Sequence, residues 1–321
     1  MIYAYAVDFR VASYNVENLF DLKYEGNEYK EYIPNTAYGW NRKAYNIKLR
    51  NIAKVIKEID ADIIALQEVE SRDALHDLRR HLNYRYFLIS DKKDSSIQNA
   101  ILSKYKISYS QELPIQKRGY RNILEVHIKI QYKTLILFIN HWKSKAGAES
   151  GRIISARVLK KRLDNLNKKS EFILLGDFNS NYNEFKTFKK KRRLNDTDGI
   201  TGINHILKTV KNGKIVTWDI FKSQNSRELL YNLWLDVGKK ERWSHIYHSN
   251  RGSLDNMIIS KTLANNRDIE YKKNSFNHFS PDWLFYRRTI NRWQISRKQP
   301  RRHLLKGYSD HLPIYADFSS R

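Results

Sequence analysis

Four carboxylates sit in or beside apolar runs: Glu68 after Ile63 to Gln67, Asp177 after Phe172 to Gly176, Asp255 after Leu254, and Asp310 before His311-Leu312-Pro313. An isolated charge in apolar surroundings is costly, so such groups are usually paired or metal-bound. Hard oxygen ligands, with few imidazoles near them and no cysteine in the chain, suit Mg²⁺ or Mn²⁺ better than zinc. Two histidines stand at comparable places: His141 follows Leu135 to Asn140, and His311 follows Ser309-Asp310. An imidazole with an ordinary pKa of about 6.5 can move a proton, and once protonated it can stabilise a phosphorane-like charge. Metal, acid and base together describe phosphoester hydrolysis by an activated water. Each residue taken singly also has a plain structural role open to it. Asn15 can cap a turn, Asp177 can stabilise a helix start, and His141 can be a satisfied, half-buried histidine.

The elements that must position these residues are legible in the apolar pattern. Phe9 to Tyr14 reads as a first strand ending at Asn15. Arg42 to Ile59 reads as a helix, with Tyr45, Leu49, Ile52, Ala53, Ile56 and Ile59 on one face. A strand ending at Glu68 follows, and Ser71-Arg72-Asp73 opens a second helix toward Leu82. Tyr84 to Ile89, Asn99 to Leu102, Ile123 to Ile130 and Thr134 to Ile139 are further strands. Gly151 to Leu166 is a helix feeding the strand before Asp177, and Leu254 to Ile259 and Ile314 to Phe318 are late strands. Strand follows strand from about Tyr84 to Asn140, where a purely parallel sheet would need intervening helices. The expected fold is therefore a four-layer α/β sandwich, two mixed β-sheets packed face to face and flanked by helices.

Composition narrows the class. With 321 residues, 41% of them hydrophobic, the chain can bury a large core, and no stretch approaches the roughly 20 apolar residues of a membrane span. Without cysteine, disulfides, thiolate metal sites and cysteine nucleophiles are excluded. Lys and Arg number 59 against 34 Asp and Glu, a formal charge of +25. That surplus favours polyanionic partners, nucleic acid or anionic lipid; a solvated basic surface in a Lys-, Asn- and Ile-rich proteome is the other reading. Two segments concentrate it. Lys186 to Arg193 holds six basic residues, and Pro281 to Lys306 holds eight against Asp282 alone, interleaved with Trp283, Phe285, Tyr286 and Trp293. Such mixtures can grip phosphates and stack on bases. Ala4-Tyr5-Ala6 has the small-x-small form of a secretory cleavage site, so residues 1–6 read as a signal-peptide remnant before a domain over 7–321. A periplasmic or secreted location is expected, with the cytoplasm as the alternative.

Taken jointly, Ser13-Tyr14-Asn15-Val16-Glu17-Asn18-Leu19, Leu66-Gln67-Glu68, Asn140-His141, Gly176-Asp177-Phe178-Asn179, Leu254-Asp255 and Ser309-Asp310-His311-Leu312-Pro313 resemble the endonuclease/exonuclease/phosphatase superfamily, also called deoxyribonuclease-I-like. The motifs occur in the family's order across essentially the whole chain, and the family fold is the four-layer sandwich expected above. The resemblance implies that Asn15 and Glu68 hold a catalytic Mg²⁺, with Mn²⁺ as a substitute, and that Asp310 supports the metal region. It implies that Asp177 orients or deprotonates the attacking water and that Asn179 binds the scissile phosphate or steadies that water. His311 would bond a phosphate oxygen or act as base, oriented by Asp255, and His141 would stabilise the transition state or protonate the leaving oxygen. The opening Asn15-Val16-Glu17-Asn18-Leu19-Phe20-Asp21 and Glu241-Arg242-Trp243-Ser244 are similar to a bacterial nuclease-type branch. Asn256 departs from that branch, which commonly has histidine there. His205, His245, His248, His278 and His303 match no motif and are expected to be structural or surface residues. The expected activity is hydrolysis of nucleic acid by a monomer, DNA ahead of RNA, as an endonuclease of low sequence specificity. Lys143, Arg297, Lys298, Arg301 and Arg302 are the expected substrate-gripping cations. A phosphodiesterase or phosphatase for lipid or small-molecule phosphoesters is the first rival, and a non-catalytic nucleic-acid-binding protein the second.

Overall fold

The computed structural model describes residues 6–223, 227–299 and 301–321. Most of the expected cleavage segment, Met1 to Tyr5, lies outside the described residues. Two mixed sheets carry the architecture. The first orders its strands β11(Ile269–Tyr271), β13(Ile314–Ser320), β1(Val7–Leu19), β2(Ile63–Val69), β4(Gln98–Ser103) and β3(Tyr86–Ile89), with β12(Asn277–His278) also pairing with β13. The second runs β9(Tyr231–Asn232), β10(Asp255–Ile259), β8(Glu171–Asp177), β7(Lys133–His141), β6(Ile123–Ile130) and β5(Ile107–Leu113). Among the described residues only β1–β2 and β7–β8 pair in parallel; every other pairing in the two sheets is antiparallel.

The period-2 alternation of strand side chains divides the core into three layers of contact. Val11, Ile63, Ala65 and Ile101 of the first sheet pack against Leu135, Leu137, Ile139, Ile173 and Leu175 of the second. Their neighbours Ala12, Tyr14, Ile64 and Leu66 face the other way, onto α1(Arg42–Ile59) and α2(Arg72–Arg79). Ile136, Phe138, Leu174 and Ile258 face outward from the second sheet onto α3(Glu149–Asp164). Three apolar interfaces between four layers are the expected sandwich.

The helices begin where the residues predict. Asn41 caps α1, its side-chain oxygen accepting from Lys43 N at 3.0 Å and Ala44 N at 3.2 Å, and Ser71 Oγ caps α2 by accepting from Ala74 N at 3.0 Å. The strands β5, β9, β11 and β12 were not individually expected. The last three span two or three residues, too short to show a period; β5 is half-exposed and polar, Ile107-Ser108-Tyr109-Ser110-Gln111-Glu112-Leu113.

Candidate active site

The directions of the strands bring the chemical residues to one edge. β1 and β2 run parallel, as do β7 and β8, so Asn15, Glu68, His141 and Asp177 all lie where those strands end. β10 and β13 run the opposite way, so their beginnings meet the same edge: Asp255 pairs with Asp177, and His311 lies just before the Ile314 that pairs with Ser13. Local distortions aim the side chains. The pairing of β1 with β2 slips after Asn15, and that of β2 with β4 slips between Gln67 and Val69, leaving Glu68 in a bulge at φ 66°. Asn179 also has a positive φ, 48°, a region that asparagine tolerates better than most residues. Gly176 sits at φ 125°, and a Cβ there would stand 2.1 Å from the Asn140 carbonyl oxygen, so the residue before Asp177 can only be glycine.

The hydrogen bonds tie these residues into one cluster. Asn15 Nδ2 donates to Glu68 Oε1 at 3.0 Å and to Asp177 Oδ2 at 3.2 Å. Asn179 donates to the two oxygens of Asp177, through its backbone N–H at 2.8 Å and its Nδ2 at 3.1 Å. His141 Nε2 points at the same carboxylates, 3.7 Å from Glu68 Oε1 and 3.6 Å from Asp177 Oδ2. On the other side His311 Nδ1 donates to Asp255 Oδ2 at 2.7 Å, an oxygen that also accepts from Ser244 Oγ at 2.6 Å. Ser309 Oγ accepts from His311 N at 3.1 Å and donates to the Asn15 carbonyl at 2.6 Å, joining the last motif to the first. Seven of the eight expected catalytic and metal residues thus share bonds or close contacts; Asp310, the eighth, stands beside His311, its Oδ1 3.9 Å from His311 Nε2.

Charge is distributed unevenly over this cluster. Burial opposes protonation of His311, but Asp255, Asp177 and Asp310 more than offset it and raise the imidazole well above its ordinary value. Burial, then the charges of Arg121 and His311, lower His141 well below its ordinary value, so its imidazole is neutral. Burial lifts the Asp177 carboxyl to about 7, against the opposing pull of His311. Burial alone would raise Asp310, yet His311 and Arg292 hold it below the ordinary carboxylate value. Glu68 is raised by burial and by the charge of Asp310. Glu68 and Asp177 therefore lie beside a neutral histidine. That oxygen-rich set could hold a divalent cation, with Glu68 and Asp310 among the candidate ligands. Asn15 turns its amide nitrogen to the carboxylates while its oxygen accepts from Glu17 N at 3.0 Å, so in this orientation it steadies Glu68. His245, Asp310 and His311 also bring possible ligand atoms within 4.8 Å of one another.

Several residues of this edge were missed by sequence reasoning. Arg121 stands just before β6, with Nη2 donating to the Trp142 carbonyl at 2.6 Å, and the charges of Glu68 and Asp177 act on it. The same Trp142 carbonyl accepts from Asn179 Nδ2 at 3.1 Å, which places a guanidinium beside the phosphate-binding candidate. The apolar pattern points to the ends of strands, whereas antiparallel β6 begins at this edge. His245, expected to be a structural or surface residue, packs its ring 4.6 Å from that of His311, and the two backbones form a bridge. The pairing joins residues far apart in sequence, which no local pattern reveals. Below the carboxylates, buried Lys48 donates to the carbonyls of Glu17 at 3.0 Å and Tyr308 at 2.7 Å. Arg292 donates from Nε to Glu17 Oε1 at 2.7 Å and approaches Asp310 Oδ2 at 3.3 Å. One cation of the second basic segment, itself largely exposed, therefore pairs with Glu17 and Asp310 at the site.

The other expected residues fall elsewhere. Asn256 faces away from the cluster, donating to the carbonyls of Ser180, Ser253 and Leu254 at 2.9, 3.0 and 3.1 Å, so its departure from the expected histidine serves the scaffold. His278 and His303 are buried among aromatic rings, as expected of structural residues. Lys143 follows Trp142 at the edge of the site. Arg297, Lys298, Arg301 and Arg302 are exposed on a loop whose contacts run to the 29–38 segment, with Arg301 Nη1 3.3 Å from Glu31 Oε1 and His303 N donating to the Tyr38 carbonyl at 3.0 Å. Among the described residues no contact joins that loop's cations to the catalytic carboxylates.

An edge of converging strands that holds a buried Asp–His pair, oxygen ligands for a divalent cation and a guanidinium defines a metal-dependent phosphoesterase. The sequence matches the Endonuclease/Exonuclease/phosphatase family over residues 10–218 and 209–320, and the chain belongs to that family. Solved structures share the fold. A truncated Caenorhabditis elegans TDP2 is 17% identical, with 97% of each chain covered and a TM-score of 0.59. A D. rerio TDP2 complexed with single-strand DNA product is 14% identical, covering 97% of this chain and 98% of that one at a TM-score of 0.59. A mannosyl-6-phosphatase of Bacteroides thetaiotaomicron is 15% identical, covering 97% and 99% at a TM-score of 0.58. No curated protein matches the sequence.

Proposed function

We propose that this protein is a Mg²⁺-dependent phosphodiesterase of nucleic acid, a DNA endonuclease of low sequence specificity that also tolerates Mn²⁺. The observation that carries the choice of substrate is the formal charge of +25, because neutralisation of phosphates dominates nucleic-acid affinity. The TDP2 of similar fold holds a single-strand DNA product, which agrees with this reading. Glu68 and Asp310 would hold the metal, with Asn15 beside them, and the ion would supply Lewis-acid polarisation of the phosphate and activation of water. Asp177, whose carboxyl titrates near neutrality, accepts the proton of the attacking water. Protonated His311, held by Asp255, donates to a non-bridging phosphate oxygen as negative charge builds there. Asn179 and Arg121 fix the phosphate, and neutral His141 donates a hydrogen bond to the leaving oxygen. Lys143 and the cations Arg297, Lys298, Arg301 and Arg302 hold the flanking substrate. Export to the periplasm or medium is part of the same proposal, since a nuclease of low specificity threatens the genome of its own cell.

The mannosyl-6-phosphatase of similar fold keeps a second reading open, hydrolysis of a small phosphoester. A direct rate comparison separates the two. With Mg²⁺ present, kcat/KM should be far higher for a labelled duplex than for mannose 6-phosphate or an inositol phosphate. The reverse order would assign the site to small phosphoesters.

A further inference from the structure

The first basic segment, Lys186 to Arg193, is built into the site's rim. Its Phe188 and the Leu194 that follows it are buried, while the five consecutive cations of residues 189–193 are all exposed. The segment is tied at both ends: Leu194 O accepts from Glu149 N at 2.9 Å at the start of α3, and Glu184 Oε2 accepts from Lys145 Nζ at 2.6 Å. Arg193 Nη1 donates to the Ala146 carbonyl at 3.1 Å, which fixes the segment to the loop that follows Trp142.

That loop meets a second fixed turn. Lys92 Nζ donates to the carbonyls of Ile115, Lys117 and Tyr120 at 3.0, 2.9 and 2.7 Å, so residues 115–120 are stapled in place. The buried Tyr120 ring carries a lysine ammonium from each of the two loops, Lys117 at 5.3 Å and Lys143 at 5.4 Å from its centroid. Tyr120 adjoins Arg121, whose guanidinium reaches the Trp142 carbonyl that Asn179 also contacts. Cations therefore follow one another on anchored backbone from the phosphate end of the site through Lys117 and Lys143 to residues 189–193. No acidic side chain pairs with Lys117, Lys143 or the cations of 189–193 among the described residues. Like charges gathered without counter-ions on rigid supports destabilise the free protein, and a polyanion relieves that cost.

Resting on the nucleic-acid reading, we propose that Lys117, Lys143 and the 189–193 segment form a phosphate-binding track that carries the part of a nucleic-acid strand extending beyond Arg121. An anionic membrane is the weaker partner for this surface, because its apolar residues point inward and surface binding of that kind needs exposed apolar side chains to insert.

The test uses the full chain carrying Lys189→Gln, Lys190→Gln, Lys191→Gln and Arg192→Gln, with Arg193 kept because it braces the neighbouring loop. Hydrolysis of a long oligonucleotide, of a dinucleotide and of bis(p-nitrophenyl) phosphate is followed at several salt concentrations, with binding to phosphatidylserine vesicles measured alongside. For the long substrate KM should rise at least about tenfold, and the log–log salt slope should fall by about two, roughly one unit for each phosphate that is no longer neutralised. The dinucleotide and the chromogenic ester should be cleaved as before, which also shows that the variant is folded. Lys117→Gln tests the near end in the same way. Unchanged cleavage of the long substrate, equal loss on all three, or an effect confined to vesicle binding would overturn the track while leaving the nuclease reading intact. A native chain that cleaves the chromogenic ester but neither oligonucleotide would overturn both.

Discussion

His245 and His278 differ in what surrounds them, and the difference predicts opposite behaviour. His245 packs its ring, tilted by 45°, against that of His311, whereas His278 lies 5.2 Å from Trp243 and 6.0 Å from Trp234, inside the scaffold. His245→Ala should lower kcat by about ten- to a hundredfold, the scale for losing a group that orients a catalytic ligand. His278→Ala should lower the melting temperature and leave kcat of the folded enzyme nearly unchanged. His141→Ala and His311→Ala should each cost at least about a hundredfold in kcat. The pH profile tests the base. Burial raises Asp177 to about 7, and only its ionised form can take a proton from water, so activity should climb as pH rises toward neutrality. In Asp177→Asn that limb should vanish along with most of the rate. A limb that survived the substitution would assign the proton transfer to another group.

At the level of elements, the site depends on strand ends that are held open by unusual backbone. Gly176→Ala forces a Cβ into the Asn140 carbonyl, and thermal or denaturant unfolding should show a loss of about 3 kcal/mol or more. β6 offers a test of acid stability remote from the metal region. Burial works against ionisation of Glu125, but its bonds to Arg162, His127 and Gln111 outweigh that and draw the carboxyl down to about 2. A folded pKa below the unfolded value stabilises the protein above the unfolded pKa, and that contribution is lost as pH falls toward the folded one. The melting temperature should therefore drop more steeply below about pH 4.5 for the native chain than for Glu125→Gln. Helix α1 and strand β6 were legible to the residue, because each has a long apolar period and clear punctuation. The carboxylates and histidines of the site were legible because they end or begin apolar runs. Arg121, His245 and Lys48 were not, since what brings them to the site is pairing between distant segments that leaves no local pattern. The loop holding Arg297, Lys298, Arg301 and Arg302 is fastened to the 29–38 segment, so its cations can meet only substrate that flanks the site, and the cation of that region that approaches a site carboxylate is Arg292.

For the whole molecule, the proposed function joins the surplus of basic residues to the convergent edge: charge would draw in a phosphodiester chain and the edge of the two sheets would cut it. Added salt should raise KM for DNA steeply and hardly affect a small phosphodiester, because only a polyanion gains from many cations at once. No helix among the described residues is long and apolar enough to cross a membrane. The most direct measurement is conversion of supercoiled plasmid to open circles with Mg²⁺, with and without chelator, by the native chain and by Glu68→Gln. Nicking by the native chain should be abolished by chelator, and Glu68→Gln should be slower by orders of magnitude yet partly restored by high Mn²⁺. Nicking that persisted in chelator, or a Glu68→Gln chain as active as the native one, would contradict the account.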